Sequence, residues 1–477
     1  MNTPIYSFIE NYIARSPVRM HMPGHKGRSG PLGVEPFDIT EIDGADELYH
    51  AGGIIRESEE NASAIFGAHT FYSAEGSSLS IRAMLFLTMK WCRLQGKEPL
   101  ILTARNVHKT YINTAALLDF RTEWIMGKKQ DSYEECRFSA GELSLRIDSM
   151  KEKPAAVYIT SPDYLGNIAD IQGISKVCHD RGVLLLVDNA HGAYLKFLSP
   201  SLHPMDLGAD LCADSAHKTL PVLTGGAYLH VSRHADSFFY QNAKRAMELF
   251  GSSSPSYLIL SSLDLANPML LNMKDALSKL TGQITELKAE LKRAGYRLRD
   301  GEILKIVICL GGDRPKRNGR AFADALMQRG IYPEYYDEKH LVMMLSVNTG
   351  AQELSAVRAA LLELAVEYAL PAKEDPASDT DSKNAKSDAA SNWPACNSAS
   401  DRLECTKKIA RFECPEQAMS PRDALFSAEE EVSADQCAGR ILSGVQVSCP
   451  PAVPIYMMGE RMDEMPGDER RFWVVKE

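Results

Sequence analysis

Short apolar runs alternate with helical patterns between residues 60 and 235, and this alternation constrains the fold more than any other feature of the chain. We expect four of these runs to form strands: Pro99–Thr103, Ala155–Thr160, Val183–Asp188 and Gly226–Val231. Continuous apolar runs of this length are typical of strands that are buried on both faces of a parallel sheet. The pattern therefore predicts an α/β, doubly wound large domain with a mainly parallel sheet.

Three further segments follow the large domain, which we place at residues 51–264 after an N-terminal arm at residues 1–50. Residues 265–370 combine helical and strand patterns and predict a small α/β domain. Residues 371–404 are rich in Ser, Asp, Lys, Asn, Ala and Pro without an apolar period, which predicts a flexible linker. Residues 405–477 regain apolar and Pro-rich order and predict a C-terminal α+β domain.

Asp188 ends one of the predicted strands, and Lys218 follows 30 residues later in Ser215-Ala216-His217-Lys218-Thr219. A carboxylate at the end of a buried parallel strand lies where open α/β folds build their sites. An amine and a buried acid are what an enzyme needs to hold pyridoxal phosphate, because the amine makes a Schiff base and the acid pairs with the pyridine nitrogen. The two residues therefore predict a pyridoxal-phosphate enzyme that acts on amino acids.

Both residues have a plainer alternative. A strand-terminal aspartate also holds Mg²⁺ in phosphate-binding folds, but that site needs a GxxxxGK[ST] loop, and Gly96-Lys97-Glu98 lacks the hydroxyl and the upstream glycine. Most lysines are solvated surface groups. The strand predicted at Ala209–Ala213 and the turn at Thr224-Gly225-Gly226 instead favour a site role for Lys218.

Gly76-Ser77-Ser78 lies between a strand-like segment, His69–Tyr72, and a helical segment, Leu79–Met89. Backbone N–H groups and hydroxyls at a helix start bind phosphate, and Ser215 could add a third hydroxyl. A plain serine N-cap is the alternative.

One histidine is considered as a partner of the cofactor ring, and four others are considered for the spacing that a metal site requires. His108 follows the first predicted strand and could stack its imidazole on a flat cofactor ring, although a lone histidine is more often an ordinary surface or core residue. His21, His25, His191 and His217 show no HExxH or comparable ligand spacing. We therefore predict no metal.

The composition is that of an ordinary soluble enzyme, with 44% hydrophobic and 24% charged residues. The formal net charge of −10 argues against wholesale nucleic-acid binding. Residues 1–20 lack the apolar segment of a secretory signal, and no run approaches the ~18 apolar residues of a membrane-spanning helix. The cysteines form no CxxC pair, which favours free thiols in a reducing cytoplasm. We expect a cytoplasmic protein that binds neither nucleic acid nor a membrane.

A series of motifs runs through nearly the whole chain outside the linker: Met20–Gly27, Asp38–Glu41, Gly53–Glu57, Gly76–Ser78, Arg105–Lys109, Ser161–Gly166, Asp188–Gly192, Ser215–Lys218, Met419–Arg422, Cys449–Pro454 and Gly459-Glu460. Together they resemble the bacterial ornithine/lysine/arginine decarboxylase family of fold-type-I pyridoxal-phosphate enzymes, whose large domain is of the aspartate-aminotransferase type. Met20–Gly27 lies early in this sequence, and in this respect the chain resembles the short form of the family, which has no N-terminal wing domain. The resemblance implies at least a homodimer with sites at the subunit interface.

The resemblance also implies a role for each site residue. Lys218 would form the internal aldimine, Asp188 would pair with the pyridine nitrogen, and His108 would stack on the ring. The hydroxyls of Ser77, Ser78 and Ser215 would hold the phosphate, with His217 beside the phosphate or the reacting carbon. The predicted catalytic residues are Lys218, His217, Asp188 and His108, and the predicted cofactor-binding residues are Gly76, Ser77, Ser78, His108, Asp188, His191, Ser215, His217 and Lys218.

The implied reaction is decarboxylation of a basic L-amino acid to its amine. Arginine to agmatine is the first expectation, with lysine to cadaverine and ornithine to putrescine as alternatives. An acid must bind the distal cation of the substrate, and the candidates are Glu41, Asp43, Asp46, Glu47 and Glu460. Another reaction on the same cofactor, such as aminotransfer or β-elimination, and a paralogue that binds pyridoxal phosphate without turnover stay open.

Five residues depart from the family pattern. Glu75 stands where an Asn commonly precedes the phosphate-binding Gly, Asp163 where Thr or Asn is usual, and Asn189 where Glu is usual. Ala452 and Met458 replace a typical Gly and Pro. Glu75 is the most unexpected, because a carboxylate near a phosphate costs energy unless it points away or pairs with a cation.

Overall fold

The computed structural model describes residues 1–127, 135, 137–310, 319–368, 415–445, 447, 452–462 and 471–476. The α-helices are α1 (Pro4–Ala14), α2 (Ile54–Phe66), α3 (Gly76–Leu94), α4 (Lys109–Leu118), α5 (Ala140–Ser149), α6 (Ile171–His179), α7 (Ala216–Thr219), α8 (Ser237–Glu248), α9 (Tyr257–Leu270), α10 (Met273–Arg293), α11 (Gly319–Met327), α12 (Ala351–Glu367) and α13 (Pro421–Phe426). The strands are β1 (His69–Ser73), β2 (Leu100–Ala104), β3 (Arg121–Ile125), β4 (Ala156–Thr160), β5 (Leu184–Asp188), β6 (Leu211–Asp214), β7 (Ala227–Val231), β8 (Lys305–Cys309), β9 (Tyr335–Tyr336), β10 (His340–Met344), β11 (Glu429–Ser433) and β12 (Arg471–Val475). The linker predicted at 371–404 lies outside the described residues.

A seven-stranded sheet in the order β1-β7-β6-β5-β4-β2-β3 forms the centre of the large domain. The strands from β3 through β2, β4 and β5 to β6 pair in parallel, as predicted. β7 runs antiparallel to both neighbours, so the expectation that Gly226–Val231 continues the parallel pattern is wrong. The segment between β6 and β7 contains only the four-residue α7 and a glycine turn, without the crossover helix that usually joins parallel strands, and the chain reverses.

Both faces of the sheet are covered, which explains why the strands read as continuous apolar runs. Leu185 and Val187 of β5 lie in one hydrophobic core, whereas Leu186 between them lies in the other. All three side chains are fully buried. The four runs predicted at the start are found as strands within one residue of their expected ends.

The remaining sheets are small and antiparallel. β8, β10 and β9 form a three-stranded sheet in that order, within the residues assigned to the small α/β domain. β11 pairs with β12 near the C-terminus, where α13 also lies. The domain boundaries stay predictions. In the described part of the chain, every helix is too short or too polar to cross a membrane.

Candidate active site

A cavity of about 320 Å³ lies where β5 and β6 end and α3 begins. The carboxyl ends of β4, β5 and β6 meet there because these strands are parallel neighbours, and this edge is where open α/β folds place their sites. Every catalytic and cofactor-binding residue predicted from the sequence lines this cavity: Gly76, Ser77, Ser78, His108, Asp188, His191, Ser215, His217 and Lys218. The structure thus brings all nine together, while their chemical roles stay predictions.

Asp188 is the buried acid of the site, with 1% of its surface exposed. Its Oδ2 accepts a hydrogen bond from the Tyr158 hydroxyl (3.1 Å) and its Oδ1 accepts one from the Ala190 N–H (3.2 Å). Burial raises the pKa of the Asp188 carboxyl, and the charge of Lys218 opposes that shift. The carboxylate is therefore fixed in orientation and suited to share a proton with a base in the cavity.

Lys218 lies on α7, and its Nζ is 3.0 Å from Nε2 of His191. Burial, followed by the nearby charge of Lys218, lowers the pKa of His191 well below its ordinary value, so His191 is neutral and accepts from the lysine. The Nδ1 atom of His191 is buried without a hydrogen-bond partner in the described structure.

His217 precedes Lys218 and is oriented by the backbone. Its Nδ1 donates to the Gly226 carbonyl oxygen at 3.0 Å, which leaves Nε2 without the proton of the neutral ring. Burial also lowers the pKa of His217. The residue therefore presents an acceptor nitrogen at neutral pH.

The start of α3 combines backbone N–H groups with a cluster of hydroxyls. Ser215 Oγ donates to Ser77 Oγ at 2.8 Å, and Ser78 Oγ lies 3.1 Å from Thr110 Oγ1. Gly76 enters the helix at φ = +70°, a conformation that favours glycine. Hydroxyls at the positive end of a 19-residue helix can bind a phosphate group.

His108 is held rigidly as the N-cap of α4. Its Nδ1 accepts from the Thr110 backbone N–H at 3.2 Å and lies 2.9 Å from the Thr110 hydroxyl. Burial, helped by the charges of Lys218 and Lys109, lowers the pKa of His108 to about 4. A fixed, neutral imidazole is suited to stack on a planar ring, and the stacking role of His108 stays a prediction.

The residues present fit pyridoxal phosphate. The cavity provides a primary amine for the aldehyde, a buried acid for the ring nitrogen and hydroxyls for the phosphate. It also contains two buried polar atoms without a hydrogen-bond partner in the described structure, Oγ1 of Thr160 and Nδ1 of His191. Buried polar atoms normally have partners, so these two are available to a bound polar molecule.

The unexpected Glu75 is not part of the cavity lining. Its side chain is exposed and its Oε1 accepts from the Ser252 N–H at 2.6 Å. The carboxylate is therefore exposed to solvent and hydrogen-bonded to the backbone, which weakens its repulsion of a phosphate in the cavity.

The other departures also have structural partners. Asp163 is buried and accepts two hydrogen bonds from Asn167, at 2.9 and 2.6 Å, and burial raises its pKa to about 6. Ala452 lines the cavity at φ = +57°, where glycine would be less strained, and its carbonyl oxygen accepts from the Lys109 N–H at 3.0 Å. Met458 is buried in the main core.

The acids proposed for the substrate's distal cation do not line this cavity, and Glu460 is a wrong prediction. Its carboxylate forms a buried bidentate ion pair with Arg105 and accepts from the Met457 N–H, so it is already satisfied. Glu41, Asp43, Asp46 and Glu47 all lie elsewhere in the described chain, outside the cavity lining.

Glu334 is the acid that sequence reasoning missed. It lies on the cavity wall, exposed to solvent, and its Oε1 accepts from the Tyr164 hydroxyl at 2.9 Å. Tyr164 itself packs edge-on against His191, with ring centroids 5.3 Å apart. No local motif marks Glu334, because it reaches the cavity from a segment 116 residues after Lys218.

The histidines considered as metal ligands do not form one cluster. His21 and His25 hydrogen-bond to other groups of the N-terminal arm, while the more C-terminal histidines of that set line the cavity. Within the described ranges, one group of side chains has metal-ligand spacing, namely His203, Asp214 and His230. All three side chains of this group are fully buried.

Comparison with known proteins gives a family and a fold. The family described as "Orn/Lys/Arg decarboxylase, major domain" matches residues 3–311. The arginine decarboxylase of Bacillus subtilis is 27% identical and aligns with 97% of this chain and 91% of its own length, and that of Bacillus cereus is 28% identical with 96% of each covered. The constitutive lysine decarboxylase of E. coli superimposes with a TM-score of 0.73 at 17% identity, over 100% of this chain and 82% of that one. This structural similarity confirms the predicted fold class, fold type I.

Proposed function

Because the chain belongs to the Orn/Lys/Arg decarboxylase family, whose members are pyridoxal-phosphate-dependent decarboxylases of basic amino acids, we propose that its substrate is arginine. The products would be agmatine and carbon dioxide. The observation that carries the proposal is one cavity that presents Lys218, Asp188 and the hydroxyl cluster together with the carboxylate of Glu334. Two relatives named arginine decarboxylases align over nearly the whole chain, which favours arginine over lysine and ornithine.

When bound, pyridoxal phosphate supplies the ring that accepts the electron pair of the broken Cα–carboxylate bond. The hydroxyls of Ser77, Ser78 and Ser215 would hold its phosphate, and Lys218 would hold its aldehyde carbon. Asp188 would hold a proton at the ring nitrogen. The stacked His108 would keep the ring plane fixed, because its own imidazole is fixed by Thr110.

Lys218 is also the better donor of the proton that replaces the carboxylate at Cα. His217 is neutral, and its one N–H is used by the Gly226 carbonyl, so Nε2 has no proton to give. Lys218 has three exchangeable protons when charged and lies against the neutral acceptor His191. We therefore place His217 as an orienting and accepting group in the mechanism.

The proposal includes a cytoplasmic homodimer. Support comes from apolar side chains of the N-terminal arm that point outward in the single chain: Val18 and Met20 are each 87% exposed and Met22 is 66% exposed. Clustered exposed apolar side chains are typical of protein–protein contacts.

The function is tested by carbon dioxide release from the purified, cofactor-loaded protein supplied separately with arginine, lysine and ornithine. The amine product is identified by mass. Release with arginine in preference to the other two supports the proposal, and release with lysine or ornithine alone corrects the substrate. A keto acid without carbon dioxide would indicate aminotransfer instead, and no turnover with the cofactor bound would indicate a paralogue without this activity.

Glu334 is expected to bind the guanidinium group of the substrate. Replacing it in Glu334→Gln removes the charge but keeps the size and the acceptor for Tyr164, so we expect kcat/KM for arginine to fall about 10-fold, mainly through KM. The estimate is modest because the carboxylate is exposed to solvent. Steady-state carbon dioxide release measures it.

The matched control for Glu334→Gln is Glu338→Gln. Glu338 is also exposed and lies four residues along the chain, but it is not part of the cavity lining. If both variants change KM equally, or if Glu334→Gln leaves KM unchanged, Glu334 does not bind the distal cation.

A further inference from the structure

Asp214 ends β6 and is a fully buried carboxylate to which the proposed mechanism gives no role. Its Oδ2 accepts from Nε2 of His203 (2.9 Å) and from Nε2 of His230 (3.2 Å). Its Oδ1 accepts from Nδ2 of Asn189 (2.7 Å) and from Sγ of Cys212 (3.4 Å). A buried carboxylate that accepts from four donors is stabilised as an anion.

Both histidines direct Nε2 at Oδ2 of Asp214. Nδ1 of His203 accepts from the Met205 N–H at 3.3 Å, which leaves the ring proton on Nε2. Burial lowers the pKa of His230 and outweighs the attraction of Asp214. Burial by itself would raise the pKa of Asp214, but the two histidines hold it well below its usual range. Asp214 is therefore the anion of the cluster, and the Nε2 atoms point protons, not lone pairs, at its carboxylate.

Asn189 connects this anion to Asp188. It follows Asp188 directly in the chain, its backbone N–H donates to the Ala213 carbonyl at 2.9 Å, and its side chain donates to Asp214. Ser215, one of the predicted phosphate-binding hydroxyls, follows Asp214 on the neighbouring strand. Through Asn189, the carboxylate of Asp214 thus connects the ends of the parallel strands β5 and β6. These two strands lead to Asp188, Ser215 and Lys218 of the site.

We propose that Asp214 is a positioning residue that supports Asp188, so that the proton shared by Asp188 and the cofactor's ring nitrogen is retained to higher pH. The inference rests on the proposed role of Asp188. Asn189, the residue directly after Asp188, is neutral, and the nearby negative charge comes from Asp214 on β6. A second buried anion beside an acid–base pair opposes removal of their shared proton.

The two phenols and the thiol next to the two carboxylates stay neutral across the neutral and mildly alkaline range. Burial is the main cause that raises the pKa of the Tyr158 phenol and of the Cys212 thiol well above their ordinary values, with the neighbouring carboxylates adding to it, and the pKa of Tyr228 rises for the same reasons. In the loaded enzyme the Lys218 amine is bonded to the cofactor. The titratable groups that face Asp188, Asp214 or the two histidines are Tyr158, Lys196, His203, Asp206, Cys212, Lys218, Tyr228 and His230.

The experiment measures the nitrogen-15 chemical shift of pyridoxal phosphate labelled at the ring nitrogen and bound to the full-length protein, as a function of pH. This shift reports whether the ring nitrogen carries a proton. We expect Asp214→Asn to lower the midpoint of proton loss by about one pH unit relative to the unsubstituted protein.

A matched control is Asp210→Asn. Asp210 is also a buried carboxylate at β6, accepts from the Leu185 N–H at 2.7 Å and pairs with His179 at 3.1 Å, but it precedes the strand, at the end away from the cavity. Its replacement disturbs a similar network and is expected to leave the midpoint unchanged. If the midpoint shifts equally in both variants, Asp214 has a structural role and does not specifically support Asp188.

A double variant, Asn189→Asp with Asp214→Asn, keeps the hydrogen bond between positions 189 and 214 and moves the negative charge to the residue next to Asp188. This variant preserves the test if Asp214→Asn alone does not fold. We expect it to raise the midpoint above that of the unsubstituted protein, and an unchanged or lower midpoint would overturn the inference. An unchanged midpoint in a folded, cofactor-loaded Asp214→Asn variant would also overturn the inference. One equivalent of bound transition metal in the purified protein would also overturn it, because the Nε2 atoms would then be ligands.

Asp188→Asn separates this inference from the proposed function. If Asp188→Asn leaves the labelled nitrogen unchanged, the assignment of Asp188 as its partner fails. If Asp188→Asn shifts the nitrogen and Asp214→Asn does not, only the role of Asp214 fails.

Discussion

Lys218→Ala is expected to lower carbon dioxide release by about 10³-fold or more, which is within the range lost when a catalytic proton carrier is removed. The expected loss is large because the same amine would hold the cofactor and deliver the proton to Cα. His191 and His217 cannot replace it, since burial lowers the pKa of both and keeps them neutral. Steady-state decarboxylation of the cofactor-saturated variant measures the effect.

A second measurement identifies the covalent bond directly. Borohydride reduction of the loaded protein should attach the cofactor to the peptide that contains Lys218, and the attachment should disappear in Lys218→Ala. The control is Lys176→Ala, because the Lys176 side chain is 78% exposed on α6 and forms an ion pair with Asp180, four residues further along the chain. If the cofactor's visible absorbance and its attachment survive in Lys218→Ala, another amine holds the cofactor.

The nine site residues could be predicted from the sequence because each lies in a short segment tied to a strand or to a helix start. Asp188 ends β5, and Ser215 and Lys218 follow β6. The carboxyl ends of parallel strands meet at one edge of a sheet, so local patterns together with the fold class are enough to bring such residues together. Glycine and serine at the start of α3 add the phosphate-binding elements by the same logic.

Residues whose position depends on long-range packing could not be predicted in this way. Glu334 lines the cavity and lies directly before β9, a strand of the small antiparallel sheet. Its hydrogen bond with Tyr164 connects this sheet to the loop that follows β4 in the large domain. The partners of Asp214 come from separate segments, including the antiparallel β7, whose direction the apolar pattern does not encode. β3 was missed because Arg121–Ile125 is an edge strand with only Ile125 buried, so it has no continuous apolar run.

Asp188→Asn is expected to lower kcat by roughly 10²–10³-fold with little change in KM, the size of effect seen when one preorganised electrostatic partner of a transition state is lost. Asparagine keeps the shape of the side chain, but its single oxygen can accept from only one of Tyr158 and the Ala190 N–H, since these two groups donate to different oxygens of Asp188. It lacks the negative charge that would hold the ring nitrogen protonated, so the cofactor's capacity to accept electrons falls. Single-turnover carbon dioxide release at saturating arginine isolates this chemical step from binding.

Tyr158→Phe is the control that distinguishes charge from hydrogen bonding at this position. It removes one donor to Asp188 and leaves the carboxylate, the Ala190 N–H bond and the neighbouring Asn189 in place. We expect a loss of less than about 10-fold, since one hydrogen bond to a charged group contributes roughly 1.5–3 kcal/mol and part of this is recovered by the remaining donors. If Tyr158→Phe instead matched Asp188→Asn, orientation and not charge would be the main contribution of Asp188, and the electrostatic role inferred for Asp214 would lose its basis as well.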